Sequence, residues 1–427
     1  MAVEYKLNRL DTSGISPLVD EHWRELREAK KEGKKVCWTA GPLWAFRLAY
    51  PNVVSHFMAG YASYCGGRGM GDEVLEAAER FGELRDTCSY HRLHTGMAAI
   101  IMKNWSITDP RVILPIPDLV YAARACTEMC HYGEALFRRF GIKSITIEWP
   151  APRTKEDIPR IAKFVTDQVK ENLIPALGKL SGHKFDEDKM REVYRVWKET
   201  CIVRNKCWEY LKRKPALMTL WDYGVSMAPI AYAMGNPVGL EYYKNLLKQL
   251  EERAEKNIPA LMPEGEKYRL YWDGWLPWGF LGRIMRMFVP NGAIPICGRY
   301  PWEFCAHPED INPEADDVIY EWIRLRTAEP NLGIWHNSPW GAAESIGELA
   351  EEYSIDGLLF FSSKTCRMWN LGQQEVIGTL DKKYGIPGVV IEGDNIDPSM
   401  FSDEQVRTRI EALLETIDAR RKGGKRS

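Results

Sequence analysis

The stretch that constrains this chain most runs from Pro117 to Pro150. Leu119, Val120, Tyr121 and Ala122 make a short apolar strand pattern, the chain turns at Cys126 into a helical pattern reaching about Phe140, and 144–148 alternates like a second strand closed by Trp149-Pro150. The connections are short, and the helix carries the chain back to the starting edge before the second strand begins. Such a strand, helix and strand pair in parallel as a βαβ unit. That makes the class α/β.

The same alternation recurs on either side of a helical middle. Val36, Cys37, Trp38 and Thr39 read as a strand ending at Gly41-Pro42, with helical patterns at 18–31, 72–81 and 90–103 around it. From 155 to 256 apolar residues recur three and four apart, as in 190–214 and 240–256, broken clearly only by Pro215 and by Gly235-Asn236-Pro237. Strand patterns return at 268–272, 293–297, 357–361 and 388–391, each followed by loop and helical segments. The expected architecture is two Rossmann- or flavodoxin-like parallel-sheet domains, 1–154 and 261–427, joined by a helical connector, 155–260. No repeat of 20–50 residues is visible.

Composition narrows the function by exclusion. With 57 Lys+Arg against 59 Asp+Glu the formal charge is −2, which argues against a nucleic-acid partner. No apolar run approaches the ~18 residues that span a bilayer, and the first ten residues lack the apolar stretch of a signal peptide, so a cytoplasmic protein without a membrane partner is expected. There is no GxxxxGK[ST] loop, and Gly66-Gly67-Arg68-Gly69-Met70-Gly71 does not fit GxGxxG. Any nucleotide hydrolysis belongs to another protein. HExxH, EF-hand and GxSxG patterns are also missing.

Ten cysteines in 427 residues are too few for a disulfide scaffold, which leaves buried thiols, metal ligands or redox groups. Three stand in equivalent settings. Cys88 opens a helical pattern, Cys126 directly follows a predicted parallel strand, and Cys366 does the same in the second domain. Open parallel sheets place ligands beyond the carboxyl ends of their strands, so the three thiols can meet in one cleft. Helix N-termini also favour the thiolate a metal needs. Three distant thiolates suit an iron–sulfur cluster with one iron left open; by spacing alone, buried structural cysteines explain them as well.

The segments DTCSYHRLHTG around Cys88, PDLVYAARACTEMCHYGEALFRRFGI around Cys126, DGLLFFSSKTCRMW around Cys366 and the closing IEGDNIDPSMFSDEQVRTRIEALLE together resemble the 2-hydroxyacyl-CoA dehydratase and benzoyl-CoA reductase subunit family. The resemblance covers almost the whole chain and is nearest in kind to the B-type subunit of benzoyl-CoA reductases. It implies a [4Fe-4S] cluster in the cleft between the domains, held by Cys88, Cys126 and Cys366. It also implies a heterodimer with a homologous iron–sulfur subunit, an acyl-CoA substrate, and a separate activator that hydrolyses ATP and delivers a low-potential electron. The missing phosphate loop fits that division of labour.

Family members commonly carry one acidic residue in a P-x-E-like segment after the first strand and another in a following F-P-E-like segment. Here those places read Pro42-Leu43-Trp44-Ala45 and Phe57-Met58-Ala59. Losing both carboxylates fits a reductase variant, a subunit whose partner bears the catalytic groups, or a divergent substrate, and with the aromatic-rich chain it tilts the expectation slightly toward single-electron reduction of an aromatic acyl-CoA. The alternatives are syn elimination of water from a 2-hydroxyacyl-CoA through a ketyl radical, and a non-catalytic electron-transfer or scaffold subunit. The Gly-Cys-Ser-Cys-like segment of related double-cubane proteins is not present.

The remaining candidates each have a plain reading beside the functional one. His91, and less so His94 and His131, can serve as a proton donor or fill a helix surface. Trp38, Thr39 and Gly41 can line the acyl pocket, although packing explains Trp38 equally well. Cys130, one turn after Cys126, and Cys65, in what reads as a glycine-rich loop, are either extra ligands or buried thiols. The aromatic run from Tyr271 to Trp278 suits an aromatic acyl group, a solvent screen or a subunit interface. Glu392-Gly393-Asp394 and Asp397-Pro398 read as turn and cap residues, and the basic end, 420–426, as a solvated tail.

Overall fold

The computed structural model describes residues 4–124, 126–302, 306–328 and 339–423. Its strands are β1 (Lys6–Leu7), β2 (Lys35–Ala40), β3 (Val53–Phe57), β4 (Leu119–Arg124), β5 (Ser144–Glu148), β6 (Leu261–Met262), β7 (Tyr268–Asp273), β8 (Ala293–Cys297), β9 (Gly357–Ser363) and β10 (Gly388–Gly393). Two sheets of four strands result, ordered β3-β2-β4-β5 and β10-β9-β7-β8. Every pairing in both is parallel, and β1 pairs antiparallel with β6. The α/β reading with two parallel sheets holds. In each sheet the first strand of the half, β2 or β7, sits inside, so the order reverses beside it. That is the place where open parallel sheets leave a crevice.

Period-two alternation sorts the first sheet between two cores. Cys37, Leu119, Tyr121 and Ala123 face a large cluster that continues through the helical segment into the second sheet. Val36, Trp38, Ala40, Val120 and Ala122 face a second cluster beneath the helices Ile15–Glu28, Met58–Gly67, Ser89–Lys103 and Thr127–Phe140. The helical segment packs on both neighbours: the Tyr50 hydroxyl donates to the Ile174 carbonyl at 3.0 Å, and the long Glu187–Glu209 helix buries Trp197, whose ring lies 5.3 Å from that of Trp322. No described helix is long and apolar enough to cross a membrane.

Two expectations change. The glycine-rich segment around Cys65 is not a loop: Met58–Gly67 is a helix that buries seven of its ten residues, Cys65 among them. Its missing polar face erased the amphipathic signal. The basic end is not a free tail up to Lys422, because the Asp403–Lys422 helix runs through it and Arg420 pairs with Asp381 at 2.5 Å. Residues 424–427 lie outside the described part.

Candidate functional site: three thiols at the domain seam

Cys88, Cys126 and Cys366 occupy the same local position. Each is the residue before the first turn of a helix, Ser89–Lys103, Thr127–Phe140 and Arg367–Asn370 respectively. Cys126 follows β4 and Cys366 follows β9, so two of the helices start at the carboxyl ends of central parallel strands. The fold brings the three thiols close enough to act on one another: negative charge at Cys366 and Cys126 opposes ionisation of Cys88. All three are partly exposed.

First-turn backbone N–H groups favour the thiolate at each sulfur, as the helix-start reading expects: that of His91 at Cys88, those of Met129 and Glu128 at Cys126, and those of Trp369 and Met368, with the Trp275 indole N–H, at Cys366. These donors lower the thiol pKa values, yet burial outweighs them. Cys88 is pushed well above the ordinary range, Cys126 up to about 12, and Cys366 upward as well. Without a positive centre the three remain thiols. Their donors nonetheless suit thiolates, whose charge a metal would stabilise. Among the described residues no three His, Cys, Asp or Glu side chains close round a single ion.

The other candidates scatter around this centre. His91 is buried behind Cys88; its Nδ1 lies 3.4 Å from Glu128 and its Nε2 3.9 Å from Glu83, which itself pairs with Arg139 at 2.7 Å. Trp38 is wholly buried between His56 and His94 in the helix-side core of the first sheet. Thr39 is wholly buried too, with no hydrogen-bond partner for its hydroxyl. Gly41 has φ 78°, and a Cβ there would come within 2.9 Å of the Ala123 Cβ. It lets the chain leave β2 tight against β4. Cys130 donates its thiol to the Cys126 carbonyl at 3.2 Å, Cys65 is fully buried with its pKa raised to about 12, and His131 is exposed.

Several neighbours escaped the sequence reading. Tyr90 is buried, its hydroxyl has no partner, and it lies within electrostatic reach of Cys88, Cys366, Asp394 and Tyr300. Arg92, one turn past Cys88, is fully buried and bridges Glu79 at 2.8 Å and Asp397 of the second domain at 2.7 Å. Ser89 N–H donates to Thr365 at 3.4 Å, Thr365 donates to Asp394 at 2.5 Å, and Asp394 also accepts the N–H groups of Ile396 and Asp397. Ile396 belongs to the helix-side core of the first sheet. The 394–398 loop therefore caps its own turn, as expected, and also plugs the second domain into the first beside the cysteines. An arginine in a helix reads as solvated, and a contact 305 residues away leaves no local signal.

A cleft of about 510 Å³ adjoins this seam, between the Met58–Gly67 and Leu281–Phe288 helices. Phe57, Ala59, Tyr232, Trp278 and Tyr300 are in its wall. The Tyr300 ring is 4.5 Å from that of Trp275, whose indole N–H favours the Cys366 thiolate. The aromatic run is thus divided: Tyr271 and Trp272 fill the large core, Trp275 lies beside Cys366, and Trp278 walls the cleft.

Sequence comparisons match this architecture from end to end. Lactoyl-CoA dehydratase subunit alpha of Anaerotignum propionicum is 27% identical over 93% of this chain and 94% of that protein. The B-type subunit of the benzoyl-CoA reductase of Thauera aromatica is 26% identical over 95% of this chain and 94% of its own length. The (R)-phenyllactyl-CoA dehydratase alpha subunit of Clostridium sporogenes is 26% identical over 92% of each, and the beta subunit of that enzyme is 23% identical over 60% of this chain and 64% of its own length. The model of the family described as 2-hydroxyglutaryl-CoA dehydratase, D-component, matches residues 18–417, and with the two parallel sheets it makes this chain a member of that family of enzyme subunits acting on CoA thioesters.

Proposed function

We propose that this chain is the [4Fe-4S] subunit of an enzyme that performs one-electron chemistry on a CoA thioester, reducing an aromatic acyl-CoA as a benzoyl-CoA reductase does. The observation that carries the reading is the placement of Cys88, Cys126 and Cys366 at three helix starts, within electrostatic reach of one another and with first-turn N–H groups favouring each thiolate. These three would hold the cluster. When bound, it supplies a low-potential electron and an iron with an open coordination position that can polarise a substrate oxygen. The chain's own residues then do the rest. The unpartnered Tyr90 hydroxyl is placed to donate a hydrogen bond to a substrate oxygen, and Trp275 and Tyr300 keep water from the reacting group.

Trp44 and Ala59, which stand at the acidic places of the P-x-E-like and F-P-E-like segments, together with the aromatic cleft wall, favour ring reduction. A second reading, dehydration of a 2-hydroxyacyl-CoA, is favoured by the dehydratase alpha subunits among the relatives. Similarity to both an alpha and a beta subunit of one enzyme supports pairing with a homologous partner. An ATP-hydrolysing activator would deliver the electron, and the cysteine rim offers it an apolar footing. Leu371 and Leu84, 78% and 71% exposed, are the most exposed large apolar side chains among the described residues and flank Cys366 and Cys88.

Anaerobic iron and sulfide analysis with EPR of the dithionite-reduced protein tests the cluster. About four irons, lost in a Cys126→Ser variant, are expected. Full iron content and activity in that variant would overturn the ligand assignment. Product analysis of the reconstituted enzyme with benzoyl-CoA and with 2-hydroxyacyl-CoAs then separates reduction from dehydration.

A further inference from the structure

We propose that the 510 Å³ cleft holds the CoA thioester with its phosphates at an arginine-lined mouth, and that its interior admits a bulky uncharged acyl group and rejects a dicarboxylic one. The inference rests on the CoA-thioester reading above and adds where the substrate lies and which acyl class it carries. Four arginines, Arg9, Arg68, Arg283 and Arg286, line the cleft, and among the described residues no Asp or Glu does. Such a one-signed lining is a footprint for a polyanion.

Three of the four already hold a carboxylate: Arg9 has Asp222 at 3.4 Å, Arg68 has Asp20 at 2.6 Å, and Arg283 has Asp403 at 2.8 Å. Arg286 is exposed and has no ion-pair partner among the described residues, so its guanidinium is available to a phosphate at no cost in broken pairs.

The interior is of another kind. Phe57, Tyr64, Met227 and Tyr300 are buried there, with Trp278 beside them, and Ala59 offers no charge where family members commonly carry an acid. A terminal carboxylate on the acyl group would leave water and meet only Arg68, which already holds Asp20 at 2.6 Å, whereas an aromatic or branched apolar group would exchange water for rings. Tyr300 forms the wall shared with the cysteine site, through Trp275 and Cys366. A thioester laid along the cleft from the arginines inward therefore points its acyl end at the thiols. The volume falls within the range of small-molecule sites.

Binding to the anaerobic full-length protein, followed by tryptophan fluorescence with benzoyl-CoA, free CoA and glutaryl-CoA as probes, tests both halves. Glutaryl-CoA is expected to bind at least about tenfold more weakly than benzoyl-CoA, and Arg286→Glu to weaken all three by about tenfold. Equal affinity for benzoyl-CoA and glutaryl-CoA would overturn the acyl assignment. Unchanged free-CoA binding in the Arg286→Glu variant would overturn the phosphate assignment. A protein with the expected preferences but no iron would support the cleft while removing the iron–sulfur reading. Conversely, a triple Cys88/Cys126/Cys366→Ser variant that lost free-CoA binding would overturn the cleft, because its mouth is built without those thiols.

Discussion

The helix that begins after Cys88 separates two polar interiors that handle burial in opposite ways. On its first-sheet side His94 stacks on His56 at 4.9 Å between ring centroids, with Trp38, Tyr61 and Tyr132 around them. Both ring nitrogens of His56 and the Tyr132 hydroxyl have no protein partner. Burial drives the His56 pKa well below its usual value and that of His94 to about 3, so both are neutral. On the seam side Arg92 pairs with both Glu79 and Asp397. Burial pushes the Asp397 carboxyl upward, but hydrogen bonds from Arg92 and Ser399 overcome it and hold the pKa below the usual range. Of these two interiors, charge is kept in the one that fixes the two sheet-bearing halves against each other. A packed interior needs volume and shape, whereas a seam that must bring Cys88 to Cys366 needs a unique register, which a directional ion pair supplies.

Removing the charge at the seam is the strongest way to test that contrast. Arg92→Met keeps much of the volume but leaves Asp397 buried and unpaired. It should cost roughly 3–5 kcal/mol in denaturant unfolding, the range for breaking a buried pair from one side. Adding Asp397→Asn should restore a good part of the loss. A loss under about 1 kcal/mol, or no recovery in the double variant, would show that the pair is surface-like after all. The iron EPR signal of the double variant reads register separately from stability: restored stability with an altered signal is the outcome expected of a positioning residue.

The rim of the seam should respond less. Replacing Leu371 by Asp puts a charge on the proposed activator footing without touching a core. Electron uptake from the activator should slow by about tenfold while iron content and the unfolding midpoint stay as in the parent. An unchanged rate would move the docking face elsewhere.

How much of this was legible depended on how local the signal is. β4, its helix and β5 were readable because alternation, a turn and amphipathic spacing sit within a few tens of residues, and the helix starting at Cys126 falls where expected. β3 and the Met58–Gly67 helix were not. Val53–Phe57 is buried on both faces, and the helix is apolar nearly all round, so neither shows a period. Its glycines suggest a loop in sequence, but in the fold a Cβ at Gly66 would meet the Ile396 side chain at 2.7 Å. That glycine marks a close domain approach. The three cysteines could be found because family-like segments carry them, while Arg92, Tyr90 and the Arg286 mouth depend on contacts that only the folded chain makes.

The smallest expected effect probes the uncharged interior. The folded-state pKa of His94 is depressed to about 3, while in the unfolded chain it titrates near its ordinary value of 6.5. Its contribution to stability is therefore complete above about pH 6.5 and is lost progressively as pH falls toward 3, because only the unfolded state takes up the proton. One unit below the ordinary value, at pH 5.5, the loss should be about 1.4 kcal/mol for this one side chain. His56 should add a loss of the same sign. In His94→Phe the unfolding free energy should fall less between pH 7 and 5.5 than in the parent, by about that amount, even though the variant also loses the 2.9 Å bond from Nδ1 to the Tyr90 carbonyl and starts from a lower value. Comparing slopes rather than midpoints cancels that offset, since the lost bond is pH-independent in this interval. Parallel slopes would mean that His94 takes up its proton in the folded protein at the same pH as in the unfolded chain. The interior would then hold charge as the seam does, and the contrast between the two sides of the Cys88 helix would fail.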